Sequence, residues 1–324
     1  MTLDLILFVV ALLMLYFGAH WLVKGSSSLA RSLGLSPLII GLTVVAFGTS
    51  APELVISVVS SFKHKSMIAV GNVVGSNICN IALVLGLTAV IQPIRSQEAV
   101  FKRDMPVMLG ISLYLLLISF NSTIGRLEGA TLFGGIILYT LWNYSLAVKE
   151  SGVGPDRIGY DTDISKIGHI ASRTMQVLLI VTGIIGVVAG AEILIETAVS
   201  IMKVFGVGEK FIGLTVVALG TSLPELATSV MAAMRREMDI SMGNLVGSNI
   251  FNMLSVLGAA SLVRPIEIPG GFVQSGLLYD YLVMMGISFL PWLMARRTCT
   301  VSRRHGLILL FCYGGYVAYL ILKP

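Results

Sequence analysis

Gly41–Ile94 reads GLTVVAFGTSAPELVISVVSSFKHKSMIAVGNVVGSNICNIALVLGLTAVIQPI, and Gly213–Ile266 reads GLTVVALGTSLPELATSVMAAMRREMDISMGNLVGSNIFNMLSVLGAASLVRPI. The two stretches align without a gap, and roughly half of their positions are identical. Two unrelated apolar helices do not agree to that degree, so the chain contains an internal repeat. The same offset continues upstream, where Gly18 and Ala19 fall on Gly190 and Ala191. Each copy sets a polar motif in the middle of an apolar run, and that placement bears on both fold and chemistry.

The composition says what surrounds those runs. Of 324 residues, 56% are hydrophobic and 12% charged, with a mean hydropathy of +0.90. A soluble domain carries about 25% charged residues. Apolar runs of about 20 residues, enough to cross a bilayer core, recur along the chain. They predict ten transmembrane helices, over residues 4–23, 37–61, 67–91, 105–120, 127–148, 175–199, 211–234, 239–263, 279–295 and 305–322. The expected fold is therefore an all-α polytopic membrane protein. The first five-helix repeat is 1–148, a polar linker is 149–173, and the second repeat is 174–324. Five is odd, so the second repeat enters the membrane in the opposite sense, an arrangement common among secondary transporters.

Charge sets the expected orientation. About fifteen Lys and Arg fall in one alternate set of loops, including Lys24, Arg31, Arg103, Arg235 and Arg304, and about seven in the other set with the termini. The richer set is expected in the cytoplasm, which puts the 149–173 linker inside and both termini on the outer, periplasmic side of an inner membrane. The net charge of +5 does not mark a nucleic-acid binder, because the basic residues sit in short clusters between apolar runs. Cys79, Cys299 and Cys312 have neither metal-ligand nor disulfide spacing. The first apolar run lacks a basic leader and reads as a true span. No nucleophile–base pair or metal triad lies in the spans, so an enzyme is not expected, nor is a prosthetic group.

Chemistry concentrates in Gly48–Glu53 and Gly71–Asn80, and in their copies Gly220–Glu225 and Gly243–Asn252. A carboxylate at bilayer depth costs at least about 2.5–3.5 kcal/mol. A lone intramembrane Glu can be a protonated group hydrogen-bonded within a bundle. Glu53 and Glu225, however, are matched by the repeat and surrounded by oxygen ligands. Thr49, Ser50 and Glu53 share one helical turn, and Ser76 stands one turn before Asn80. Thr221, Ser222, Glu225, Ser248 and Asn252 repeat the pattern. Pro52 and Pro224 cannot donate to the carbonyls of Gly48 and Gly220, which predicts a kink that frees backbone oxygens. Carboxylate, hydroxyl, amide and carbonyl oxygens suit a hard cation such as calcium, which takes about six to eight of them. The motifs hold no His and a single Cys, Cys79, which has no metal-ligand spacing, so zinc and copper fit poorly. The glycines of these motifs, Gly71, Gly75 and Gly86 with Gly243, Gly247 and Gly258, are expected to let helices approach closely.

GTSAPE with GSNICN, repeated as GTSLPE with GSNIFN, resembles the repeats of the calcium:cation antiporter superfamily, in its sodium/calcium exchanger branch. The double motif covers about a third of the chain. The resemblance implies an ion site between the two repeats. In it Glu53 and Glu225 bind Ca²⁺ with backbone oxygens of Thr49 and Thr221. Sodium ions use the same carboxylates with Ser50, Ser222, Ser76, Ser248 and the carbonyls of Ala46 and Ala218. Asn80 and Asn252 complete the centre. Potassium-dependent relatives carry Asp at the second of these Asn positions, and this chain resembles the potassium-independent members. The implied partners are the lipid bilayer and the transported Ca²⁺ and Na⁺ ions. Two rival readings stand beside sodium exchange: a proton/calcium antiporter of the same fold, and a cation channel. Glu192 and Glu196, on one face of the sixth run, are either attractants in an outer vestibule or an interfacial pair.

Overall fold

The computed structural model describes residues 2–151, 170, 172–204 and 220–322. In lipid a backbone must satisfy its own hydrogen bonds, and the apolar runs do so as helices. In chain order these are α1 (Thr2–Leu33), α2 (Pro37–Ile40), α3 (Ala46–Thr49), α4 (Ala51–Phe62), α5 (Ser66–Ile78), α6 (Gly86–Ile91) and α7 (Met105–Ser119). Then come α8 (Arg126–Ser151), α9 (Arg173–Val204), α10 (Leu223–Met234), α11 (Met238–Phe251), α12 (Leu257–Val263), α13 (Leu277–Ala295) and α14 (Arg303–Leu322). Four short strands, β1 (Ile94–Arg95), β2 (Thr123–Ile124), β3 (Ile266–Glu267) and β4 (Thr300–Val301), lie in the connections. Wide π-helical turns at Gly41–Val45, Cys79–Leu85 and Asn252–Val256 link α2 to α3, α5 to α6 and α11 to α12, and such turns gather at functional sites.

Among the described residues, six helices are long and apolar enough to cross a membrane, or seven if Pro37–Thr49 and Ala51–Phe62 form one broken span. The predicted runs not among these meet α7, α8 and α10, and residues 211–219 lie outside the described part. So does most of the predicted linker.

The chain divides into two compact units, and each draws on both sequence repeats. The first holds Met1–Thr49 and Thr140–Asn244. Within it α1 lies along α9 on a seam of glycines. A Cβ added at Gly18 would stand 2.7 Å from the Val187 nitrogen, and one at Gly183 would stand 2.7 Å from Leu22 Cα. Small residues allow this approach in helix pairs. The helix α1 runs ten residues past its predicted apolar end, to Leu33. Its extra turns are held by polar contacts: Ser27 Oγ donates to Glu237 Oε1, and Arg31 Nη2 stands 3.0 Å from the same oxygen.

The second unit holds Ser50–Tyr139 and Leu245–Pro324. Here β1 pairs antiparallel with β4, Ile94 opposite Val301, and β2 pairs antiparallel with β3, Thr123 opposite Glu267. In sequence α7 leads from β1 to β2, and α13 leads from β3 to β4. The two helices therefore run in opposite directions between the same two ends. Trp292 Nε1 donates to the Phe101 carbonyl at 2.8 Å, tying the end of α13 to the approach to α7.

The motif glycines divide. Gly86, Gly243 and Gly258 meet neighbouring backbone as expected: an added Cβ would lie 3.1 Å from Gly306 O, 2.7 Å from Leu38 O and 2.8 Å from Phe133 N respectively. Gly71 and Gly75 do not: an added Cβ meets no atom within 4 Å among the described residues. Among the described residues their faces carry no helix contact that only glycine permits.

Candidate functional site

Both glutamates sit in the first turn of a helix that starts afresh in mid-run. The sequence predicts a proline kink in a continuous helix. Instead α3 ends before Ser50 (φ −87°, ψ 8°) and α4 starts one residue after it, and in the second copy α10 starts one residue after Ser222 (φ −90°, ψ 5°). Pro52 and Pro224 then occupy first-turn positions, where the missing N–H costs nothing. The first bonds of the new helices, Leu54 N to Ser50 O at 3.2 Å and Leu226 N to Ser222 O at 3.0 Å, match in the two copies. Glu53 and Glu225 are thereby placed at the N-terminal, positive end of a helix dipole. Both are fully buried, as are Ser50 and Ser222.

The first unit contains Ala46, Thr49, Thr221, Ser222 and Glu225 from the predicted set, and Ala218 lies outside the described residues. Thr49 is buried, whereas Thr221 is partly exposed. Thr49 Oγ1 donates to Asn244 Oδ1 at 3.0 Å and lies 3.4 Å from the Ala46 carbonyl. Asn244 Nδ2 in turn donates to Ser229 Oγ at 3.0 Å, and Ser241 Oγ donates to the Ser229 carbonyl at 3.0 Å. These bonds join α10 to α11.

The second unit contains Ser50, Glu53, Ser76, Asn80, Ser248 and Asn252, all buried. Asn72 Nδ2 donates to Ser57 Oγ at 3.0 Å and lies 3.4 Å from the Glu53 carbonyl. The pair Asn72–Ser57 matches Asn244–Ser229, one repeat earlier in sequence, and holds α5 against α4 in the same way. Asn80 and Asn252 enter a second, reciprocal network. Asn80 Nδ2 donates to Asn249 Oδ1 at 3.1 Å, and Asn252 Nδ2 donates to Asn77 Oδ1 at 3.2 Å. Asn249 Nδ2 reaches the Asn77 carbonyl at 3.2 Å, and Asn77 Nδ2 reaches the Asn249 carbonyl at 3.4 Å. The amide oxygens of Asn80 and Asn252 have no hydrogen-bond partner among the described residues, although both are buried. A buried acceptor left so costs about 1–3 kcal/mol, which a cation ligated there would offset.

Asn72, Asn77, Asn244, Asn249, Ser57 and Ser229 were not picked out as site residues from the sequence. The signal was present: each is identical in the two copies, and each is polar within an apolar run. Glu192 and Glu196 lie exposed on α9.

Comparison with known proteins identifies the family of the chain. The family described as sodium/calcium exchanger protein matches residues 3–146 and 175–322. The putative antiporter CaxA of Alkalimonas amylolytica is 36% identical over 98% of each chain. The inner membrane protein YrbG of Escherichia coli (strain K12) is 34% identical over 99% of this chain and 96% of its own. A solved structure of the sodium-calcium exchanger NCX_Mj superposes with a TM-score of 0.82, at 31% identity and 99% coverage of both chains.

Proposed function

The chain belongs to the sodium/calcium exchanger family, and from that premise we propose that it exchanges Na⁺ for Ca²⁺ across the membrane by alternating access. Membership supports the coarser statement directly: this is an integral membrane protein and a cation/Ca²⁺ antiporter, not an enzyme. The finer reading adds ten transmembrane helices in two inverted five-helix repeats, with ions held at mid-membrane by residues of both.

One observation carries the reading: each repeat starts a helix just after Ser50 or Ser222 and buries a glutamate in its first turn. Two carboxylates balance one Ca²⁺ or two Na⁺. Unfilled, they carry a charge that is costly in a low-dielectric interior, so the protein changes sides only when loaded. That requirement produces exchange and suppresses leak. We assign Glu53 and Glu225 to calcium with the backbone oxygens of Thr49 and Thr221. Sodium takes the same carboxylates with Ser50, Ser76, Ser222, Ser248 and the carbonyls of Ala46 and Ala218. Asn80 and Asn252 supply neutral oxygens. The Thr49 hydroxyl is engaged with Asn244, which is compatible with its contributing through the backbone.

The test is charge removal at constant shape. Breaking one partner of a buried charge pair costs about 3–5 kcal/mol, so Glu53→Gln or Glu225→Gln should lower calcium flux in proteoliposomes by at least about a hundredfold. Each variant should still purify as a monodisperse, folded protein. Near-normal flux in either would remove that glutamate from the site. Orientation is tested separately. With the native cysteines replaced, Ser151→Cys should resist an impermeant thiol reagent in intact cells, and labelling from outside would reverse the assigned sidedness.

A further inference from the structure

We infer that Asn77 and Asn249 are positioning residues that aim the ion-binding oxygens of Asn252 and Asn80, each acting on the asparagine of the other repeat. The inference rests on the reading of Asn80 and Asn252 as ligands and adds two residues that touch no ion.

An asparagine side chain presents an oxygen on one side and an NH₂ group on the other. A cation needs the oxygen, and an amide turned about would present its hydrogens instead. Something must fix the choice. In Asn252 the NH₂ group is occupied by Asn77 Oδ1 at 3.2 Å, and in Asn80 by Asn249 Oδ1 at 3.1 Å. Both amide oxygens are thereby turned away from their holders. The holders are themselves fixed. Asn249 Nδ2 donates to the Asn77 carbonyl at 3.2 Å. Asn77 Nδ2 lies 3.4 Å from the Asn249 carbonyl and 3.8 Å from Met284 Sδ. Asn77 and Asn249 are each 1% exposed, so water does not compete for these bonds.

The pairing is crossed. Asn77 precedes Asn80 by three residues on its own helix, yet its side-chain oxygen serves Asn252, and Asn249 likewise serves Asn80. Because the second bond of each holder uses the backbone carbonyl of the other, truncating Asn77 to alanine leaves that carbonyl in place. Asn249 can then still hold Asn80. A general packing role for the asparagines predicts no such selectivity.

The experiment is a set of double-mutant cycles on the full chain in detergent. Equilibrium binding of radioactive calcium is the readout, and each melting temperature is recorded. Asn252→Ala and Asn80→Ala should each weaken binding by about tenfold. Asn77→Ala should weaken it by about five- to tenfold, the scale of one hydrogen bond. Asn77→Ala with Asn252→Ala should bind no worse than Asn252→Ala alone, whereas Asn77→Ala with Asn80→Ala should show the two losses multiplied. The mirror cycle expects Asn249→Ala to be silent beside Asn80→Ala and multiplicative beside Asn252→Ala. It decides the question by itself if Asn77→Ala does not fold, as Asn77→Ser does within the first cycle. Losses that multiply in every pair, or that merge for Asn77 with Asn80, overturn the inference while leaving the ligands in place. Unchanged binding in both Asn80→Ala and Asn252→Ala overturns the ligand reading and the inference with it.

Discussion

The two most apolar spans, α1 and α9, are poorly buried: 33% and 28% of their apolar stretches are covered by the rest of the protein. The spans Met67–Ile91 and Met238–Val263 are less apolar and carry nine of the asparagines and serines described above, yet 72% and 78% of their stretches are covered. In a water-soluble protein the order is reversed, because burial there removes apolar surface from water. Here the surroundings are apolar already. Covering Leu or Val gains little from solvent, whereas a polar group must be shielded and given partners. The covered spans are thus the ones that carry the polar networks, and the uncovered pair is held together by close glycine packing.

This contrast can be broken from either side. The largest effect expected is from making a covered span more apolar. Asn252→Leu adds hydrophobicity at a fully buried position, yet it deletes a proposed ligand and leaves Asn77 Oδ1 without its donor. Calcium exchange should fall by about tenfold to a hundredfold, the scale of one to two lost polar interactions at a charged site. A variant that transports like wild type would make Asn252 a packing residue.

A smaller effect is expected on the glycine seam. Gly18→Ala puts a methyl group 2.7 Å from the Val187 nitrogen and 2.8 Å from the Gly186 carbonyl carbon, so the two backbones must separate. Overpacking of this kind costs about 1–3 kcal/mol. It should appear as a lower melting temperature in detergent, and an unchanged one would show that the seam yields. The smallest effect belongs to the lipid-facing side of the same helix pair. Leu178, 51% exposed on α9, should tolerate Leu178→Ala within about 0.5 kcal/mol. A loss comparable to that of Gly18→Ala would mean that this face has a protein partner.

Helix placement was largely legible, since each apolar run falls on a helix wherever it is described. The end of α1 was not, because its last turns lean on Glu237, more than two hundred residues away. The bend expected at Pro52 is present, 47° between Pro37–Thr49 and Ala51–Phe62, but it falls at a break at Ser50, with proline in the first turn of the new helix. Of the proposed site, the oxygen-bearing side chains could be singled out because charge and hydroxyl in an apolar run demand an explanation. Their holders were not. Asn77 and Asn249 do their work through hydrogen bonds to a partner some 170 residues away, and a one-dimensional pattern carries no record of which helices meet. Only their identity in both copies hinted at it. The mixing of both repeats in each compact unit was hidden for the same reason.

The central claim is that filling the paired carboxylates with sodium on one side drives calcium from the other. Its most direct test is calcium uptake into sodium-loaded proteoliposomes of the purified chain, with and without an outward sodium gradient, and with a protonophore present. The account predicts uptake that requires the sodium gradient and persists when the proton gradient is collapsed. Uptake that ignores sodium and disappears with the proton gradient would contradict it and assign the coupling to protons.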